Sequence, residues 1–335
     1  MEVKNRKTWV EKYRPRSLNS LVQQDEVKHI IQYTYKHNSM PHIMLHGPPG
    51  TGKTTTALVI CKHFFIDKSK DKYANNKIFR ERVLELNASD DRGIKFVREN
   101  IKNFAQTAMH HHDGLPNFKI IILDEADAMT SDSQFALRMI IEKYSETTRF
   151  ILICNYVTRM IEPLISRTMK LRYKSITLTS MEQVLQKISR KENLIISNEF
   201  IIKLKEITKG DLRRTINLLE RVNFIDPELK ISTLEEISGL IDHNFMNHIM
   251  TILKNKDTTV LELLQLVNEF KNQSYSSLIL IENLFNYILK LKISEKIKAE
   301  IIIVITQVDN ALNNNADETI QLMYLFNLIH SKIIE

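Results

Sequence analysis

Residues Gly47-Pro48-Pro49-Gly50-Thr51-Gly52-Lys53-Thr54 spell a complete G-x-x-x-x-G-K-T phosphate-binding loop. Gly47, Gly50 and Gly52 permit the tight turns that aim backbone N–H groups at phosphate oxygens. The chain has seven glycines in all, and three fall in these six positions, so a chance glycine-rich turn is a poor explanation. Lys53 suits the β and γ phosphates and the Thr54 hydroxyl suits Mg²⁺, which makes ATP and Mg²⁺ the expected cofactors. A second group follows the apolar run Ile120 to Leu123, where Asp124 and Glu125 stand side by side. Asp124 is fit to hold Mg²⁺ directly or through water, and Glu125 to orient and polarise an attacking water. Asn155 ends a third apolar run, Phe150 to Cys154. Alone it would be a turn residue at a strand end. Beside the loop and the acidic pair, its amide can donate to the γ-phosphate or fix the water.

These groups need a sheet to hold them. Ile43-Met44-Leu45 predicts a buried strand before the loop, and Ala57, Leu58, Ile60, Cys61 and Phe64 predict a helix after it. The start of that helix adds free N–H groups and a favourable dipole. Ile120 to Leu123 reads as a fully buried strand, and ligands of open α/β sheets bind at the carboxyl ends of strands. A further strand is expected at Val83 to Leu86, and helices at Asp25 to Tyr35 and from Asp90-Asp91-Arg92-Gly93 to about Ala108. Pro15 stops any helix begun by Trp9 to Tyr13. Asp67 to Lys77 lacks an apolar face and predicts an exposed loop. The last strand signal runs from Leu171 to Leu178. Helices follow at 180–192, 197–208 and 211–224, the last with Asp211 as N-cap. Arg213 and Arg214 in its first turn oppose the helix dipole, so an anion contact explains them better than local stability. After Gly239 the pattern is wholly helical, near 243–254, 258–271, 277–291, 295–314 and 317–334, without glycine or proline. The expected division is a nucleotide-binding core at 1–174, a small helical lid at 175–238 and a helical C-terminal domain at 239–335.

At 335 residues, 43% hydrophobic and 26% charged, the composition is that of an ordinary soluble globular protein. No apolar run reaches the ~18 residues of a membrane span, and Met1 to Asn5 lacks a signal-peptide core. Cys61 and Cys154 sit in apolar segments and read as core thiols. The net charge of +7 is concentrated at +9 in residues 1–120, against −2 in the remainder. That fits a polyanionic partner, although charge alone equally allows a lysine-decorated surface. His110-His111-His112 is followed by Gly114 and Pro116 and reads as a solvated loop, since consecutive residues do not face one ion.

The ordered set of motifs resembles the small subunits of replication factor C, the AAA+ sliding-clamp loader, over nearly the whole chain. It comprises Trp9 to Pro15, Gly47 to Thr54, Leu84 to Asp90, Asp124-Glu125-Ala126-Asp127, Ser166-Arg167, Gly210-Asp211-Leu212-Arg213 and Ala316-Asp317-Glu318. Leu152 to Val157 with Ile161 to Leu164 is similar to the eukaryotic form called subunit 4. The resemblance implies an α/β AAA+ P-loop NTPase core, a parallel sheet with flanking helices, with a small helical lid and a C-terminal helical collar. It implies that Val10, Tyr13, Arg14 and Pro15 line the adenine pocket with Val22 and Gln23 nearby, and that Gly47 to Thr54 with Thr55 surround the phosphates. Asn155 matches the sensor-1 position and Arg213 the sensor-2 position. Arg167 matches the arginine finger, which acts in trans on a neighbouring subunit's ATP. Arg92, Arg98 and Lys102 would face DNA inside a spiral of five subunits, and the loop region after Phe104 would approach the clamp. The implied partners are the other replication factor C subunits in a hetero-pentamer, a ring-shaped sliding clamp and primer–template DNA, with no membrane, and the implied location is the nucleus. Three departures stand out: Thr168 replaces the family's cysteine after Ser-Arg, Met139 replaces the second arginine of Leu-Arg-Arg, and the polar stretch Asp67 to Lys77 is longer than the family norm.

Arg98 and Lys102 lie four residues apart, so a helix would put them on one face. Two other functions compete with this one. A P-loop kinase of a small molecule gives no reason for Arg167, Arg213 or the helical tail. A structural subunit that binds ATP without hydrolysing it has no use for Glu125.

Overall fold

A computed structural model describes residues 7–21, 25–37, 39–66, 72–89, 94–109 and 114–334. The chain divides into two compact units, Met1–Glu228 and Leu229–Glu335.

The first unit is built on five parallel strands: β1 (Ile43–His46), β2 (Val83–Asn87), β3 (Lys119–Asp124), β4 (Thr148–Cys154) and β5 (Met169–Arg172), in the order β2-β3-β4-β1-β5. Its helices are α1 (Trp9–Lys12), α2 (Asp25–Lys36), α3 (Lys53–Phe65), α4 (Lys72–Arg82), α5 (Ile94–Gln106), α6 (Ser131–Lys143), α7 (Glu162–Ile165), α8 (Leu178–Glu192), α9 (Asn198–Thr208) and α10 (Leu212–Ile225). Successive side chains of a strand point to opposite faces, and in the central strands β1, β3 and β4 both faces are buried. Ile43, Leu45, Ile120, Ile122, Ile151 and Ile153 enter one core with Val27 and Ile31 of α2 and Ala57, Ile60 and Phe64 of α3. Met44, Ile121, Leu123, Phe150 and Leu152 enter another with Ile101 of α5 and Leu137 and Ile141 of α6. Full burial of such a side chain stabilises by about 1.5–3 kcal/mol. This two-sided core explains why the strands read as unbroken apolar runs. It also holds the ends of β3, β4 and β1 side by side, with His46 opposite Cys154.

The second unit is helical: α11 (Ile231–Ser238), α12 (His243–Lys254), α13 (Val260–Asn272), α14 (Ser277–Lys290), α15 (Glu295–Asn313) and α16 (Glu318–Ile334). Leu253, Leu266, Phe270, Leu284, Ile305, Leu325 and Phe326 share its core. The helices expected after Gly239 are present, each within a few residues of its expected bounds. The eight-residue α11 was not expected.

Two expectations are corrected. Residues 72–77 are the start of α4, not loop, and 67–71 lie outside the described residues. The buried side of α4 is carried by Asn75, Ile78 and Arg82, at 8%, 6% and 1% exposure, so a search for an apolar stripe passes over it. The last strand is shorter and earlier than Leu171 to Leu178. The strand ends at Arg172, Tyr173 N still donates to the His46 carbonyl at 2.7 Å, and Tyr173 and Ile176 stay buried. The histidine run at 110–112 lies outside the described residues.

Candidate nucleotide-binding site

The loop leaves β1 at His46 and enters α3 at Lys53, where Gly52 caps the helix in the left-handed conformation with φ 94°. Two glycines are required by close approach as well as by positive φ. A Cβ on Gly47 (φ 141°) would lie 2.2 Å from the Tyr173 carbonyl oxygen, and one on Gly50 (φ 68°) would lie 1.8 Å from Asp211 Oδ1. Lys53 Nζ donates to the carbonyl oxygens of Gly47 at 2.7 Å and Pro48 at 2.8 Å, and to Asn155 Oδ1 at 2.9 Å. Thr51 Oγ1 donates to the Pro48 carbonyl at 2.8 Å and closes the turn. Burial lowers the Lys53 pKa from its ordinary value, and the carboxylate of Asp124 works against that shift.

The strand ends deliver the acids. Thr54 Oγ1 donates to Asp124 Oδ2 at 2.7 Å, joining the first turn of α3 to the end of β3. A hydroxyl and a carboxylate oxygen beside a phosphate cradle are the hard donors Mg²⁺ prefers, so these two residues fit that ion. Glu125 stands in the left-handed conformation at φ 55° with its side chain exposed. A non-glycine residue held there costs of order 1–3 kcal/mol, and such strain clusters at functional sites. In the sequence Asp127 stands out only as the last residue of Asp124-Glu125-Ala126-Asp127. Its Oδ2 accepts from the backbone N–H groups of Asn155 at 3.2 Å and Tyr156 at 3.0 Å, which fixes the end of β4. With Asn155 Oδ1 on Lys53, the amide NH₂ is the group it has left to offer a phosphate or water. Gln134, 1% exposed, accepts from Ile161 N at 2.8 Å and donates to the carbonyls of Met129 and Arg159. It ties α6 to the segment after β4.

The N-terminal segment meets α3, α8 and α10, and the start of α10 meets the loop. Val10, Tyr13, Arg14 and Pro15 are all half-buried. Arg14 Nε donates to Thr55 Oγ1 at 3.2 Å, so the segment rests on α3. The Tyr13 hydroxyl pairs with Glu192 of α8, and Trp9 N donates to Glu220 Oε2 of α10 at 3.0 Å. Neither glutamate carries a sequence signal, since each sits on a helix face like any solvated acid. Asp211 caps α10 by accepting from Arg214 N at 2.9 Å, and Leu212 N donates to the Gly50 carbonyl at 3.3 Å. The helix start bearing Arg213 therefore abuts the phosphate loop. The Arg213 side chain is exposed and makes no hydrogen bond or ion pair among the described residues.

Arg167 belongs to a different corner. Its Nη2 lies 2.5 Å from Glu142 Oε1, and its Nη1 donates to the Pro163 carbonyl at 2.9 Å. It shares no hydrogen bond with Lys53, Thr54, Asp124 or Asn155 among the described residues. Lys102 is exposed on α5, and Arg98 lies four residues earlier on that helix. Arg92, Val22 and Gln23 lie outside the described residues.

The family of ATPases associated with various cellular activities matches residues 43–176, and the replication factor C C-terminal domain matches residues 241–326. Replication factor C subunit 4 of Homo sapiens is 39% identical over 95% of this chain and 86% of its own length. Replication factor C subunit 2 of Saccharomyces cerevisiae is 38% identical, covering 95% and 91%. The small subunit of Archaeoglobus fulgidus is 38% identical over 96% of each chain. Among solved structures, the Thermotoga maritima RuvB Holliday junction branch migration motor aligns with a TM-score of 0.51 at 17% identity, covering 72% of this chain and 80% of its own. At that identity it supports the fold alone. No helix among the described residues is long and apolar enough to cross a membrane.

Proposed function

The chain belongs to the replication factor C small subunits, the AAA+ clamp-loader ATPases, and from that premise we propose how this subunit works. ATP binds across the loop Gly47 to Thr54, with the base against Val10, Tyr13, Arg14 and Pro15 and with Arg213 on the phosphates from the lid. Thr54 and Asp124 hold Mg²⁺. Glu125 activates water and Asn155 positions it. The functional division is core at 1–174, lid at 175–238 and collar at 239–335, with the collar joining other replication factor C subunits in a hetero-pentamer. ATP binding lets the assembly open and hold a ring-shaped sliding clamp. Primer–template DNA, met by Arg92, Arg98 and Lys102, triggers hydrolysis and release, in the nucleus, during replication and repair.

One observation carries the reading: the Thr54–Asp124 and Lys53–Asn155 bonds gather the binding and hydrolytic groups of one site while Arg167 stays apart, exposed on another corner. That is the arrangement of a chain that supplies most of one site and one residue of another. The test is ATP turnover by the isolated chain and by the reconstituted complex, each with and without primed DNA. Slow turnover alone, and stimulated turnover on assembly with primed DNA, is expected. Equal turnover in all four states would sink the proposal, and turnover requiring a small-molecule acceptor would favour a kinase.

A further inference from the structure

The carboxylate of Glu142 lies near the end of α6 and receives two cations. Arg138 Nε donates to its Oε1 at 3.1 Å from one helical turn away, and Arg167 Nη2 reaches the same oxygen at 2.5 Å from the far side of α7. The side chain is about a third exposed, as is that of Arg167. The hydrogen bond from Arg138 is the largest cause holding the Glu142 carboxyl below the usual carboxylate range, so it stays ionised at neutral pH. Arg167 is gripped twice, since Nη1 also donates to the Pro163 carbonyl at 2.9 Å. Two anchors from different elements fix the plane of a guanidinium. They leave Nε–H and the remaining Nη hydrogens free to meet an anion.

We propose that Glu142 is a positioning residue for hydrolysis in trans: it presents the Arg167 guanidinium, already oriented, to the ATP of the adjoining subunit. This rests on the reading of Arg167 as a finger. The physical case is one of preorganisation. An exposed arginine samples many rotamers, and holding it in one geometry removes an entropic cost from the step at which it meets the phosphate. An ordinary surface ion pair contributes little to stability, so Glu142 should matter to turnover and hardly to folding. Arg138 keeps the carboxylate charged and supports it from its own helix, which lets a single exposed acid hold its place. Sequence alone gives Glu142 no such role, because its partner Arg167 lies well beyond helical spacing.

The test is made in the reconstituted complex with every ATP site disabled except the one next to Arg167. Glu142→Ala should lower kcat there roughly 10-fold with KM little changed, less than the ~10²-fold that a 1 Å misplacement can cost. Glu142→Gln keeps a hydrogen-bond acceptor and should fall between Ala and wild type. Arg167→Ala should cost far more, and adding Glu142→Ala to it should cost nothing further. A complex that assembles with wild-type kcat in both Glu142 variants, while Arg167→Ala is slow, overturns the role of Glu142 and leaves the finger intact. An additive loss in the double variant overturns it as well. If Arg167→Ala is itself without effect at the adjoining site, the finger reading fails and takes this one with it.

Discussion

In the nucleotide cradle, the named groups tie back to other parts of the cradle. Lys53 reaches Gly47, Pro48 and Asn155, Thr54 reaches Asp124, and Asp127 holds the strand end that carries Asn155. At the Arg167 corner, the two arginines converge on one acid near the surface, and the Arg167 guanidinium is further held only by the Pro163 carbonyl on its own segment among the described residues. The first region is 6% exposed at its lysine, and the second is about a third exposed. A site closed on itself can bind its ligand in one chain. A charged group held oriented at the surface has work only when something docks against it. On the proposed reading, the difference separates what a monomer should do from what needs an assembly.

The largest expected effect breaks the comparison at its open side. With all other sites disabled through their loop lysines, Arg167→Ala in the assembled complex should slow hydrolysis by the adjoining subunit about 10³–10⁵-fold, the worth of such a residue in P-loop enzymes. Single-turnover ATPase measurements read this directly. A loss at the chain's own site instead would mean that Arg167 folds back onto its own cradle, and the contrast between the two regions would disappear.

Glu125→Gln probes the closed side. The amide cannot take part of a proton from water as the carboxylate does, so hydrolysis at this site should fall roughly 10²–10⁴-fold with ATP still bound. Clamp opening needs only binding in the proposed order of events. The variant complex should open the clamp, load it and then stay on DNA. Prompt release of DNA by that complex would contradict the order.

The sheet and the cradle were legible because their signals are local. Fully buried strands leave unbroken runs such as Ile120 to Leu123, and the loop glycines sit where the backbone demands them. What remained hidden lies in pairings over long sequence distance. Tyr13 with Glu192, Trp9 with Glu220 and Gly50 with Asp211 each join segments more than 150 residues apart. Asp211 caps α10 as its sequence position suggests, and nothing at 211 reports that it also covers Gly50. Lys119 makes the same point. It opens a strand, yet its ammonium is buried against the carbonyls of Phe104 at 2.7 Å and Thr107 at 2.5 Å, capping α5. Periodicity finds faces that carry apolar residues, and it passes over buried lysines and arginines.

Gly50→Ala sharpens the comparison by attacking the seam that closes the cradle. The added carbon falls on the Asp211 carboxylate and demands a left-handed alanine. The conformation costs about 1–2 kcal/mol, and displacing the Asp211 cap costs about 1 kcal/mol more. Thermal unfolding should therefore register a loss of about 2–3 kcal/mol. Asp211→Ala alone should cost only the cap, and placed in the Gly50→Ala background it should cost less than it does alone. Strict additivity of the two would show that the loop and the start of α10 do not touch in solution.

The smallest expected effect concerns a surface outside both regions. Arg98 and Lys102 share one face of α5, and Lys102 is exposed. Charges that meet phosphates carry no base information, so binding of primed DNA should be independent of sequence and steeply dependent on salt. Each phosphate contact on duplex DNA contributes about 0.9 to the slope of log K against log salt. Removing both charges, as Arg98→Ala and Lys102→Ala, should flatten that slope by up to about 2 and weaken DNA-stimulated hydrolysis at moderate salt. The unstimulated rate should hold, because among the described residues no hydrogen bond joins α5 to Lys53, Thr54, Asp124 or Asn155. A titration of DNA-stimulated ATPase across salt concentrations separates the outcomes. If the slope and the stimulation match wild type, this face of α5 is an ordinary solvated surface and the DNA path runs elsewhere. If the slope flattens but the unstimulated rate falls too, α5 is coupled to the cradle through its packing against α6, and the closed site is less self-contained than its hydrogen bonds imply.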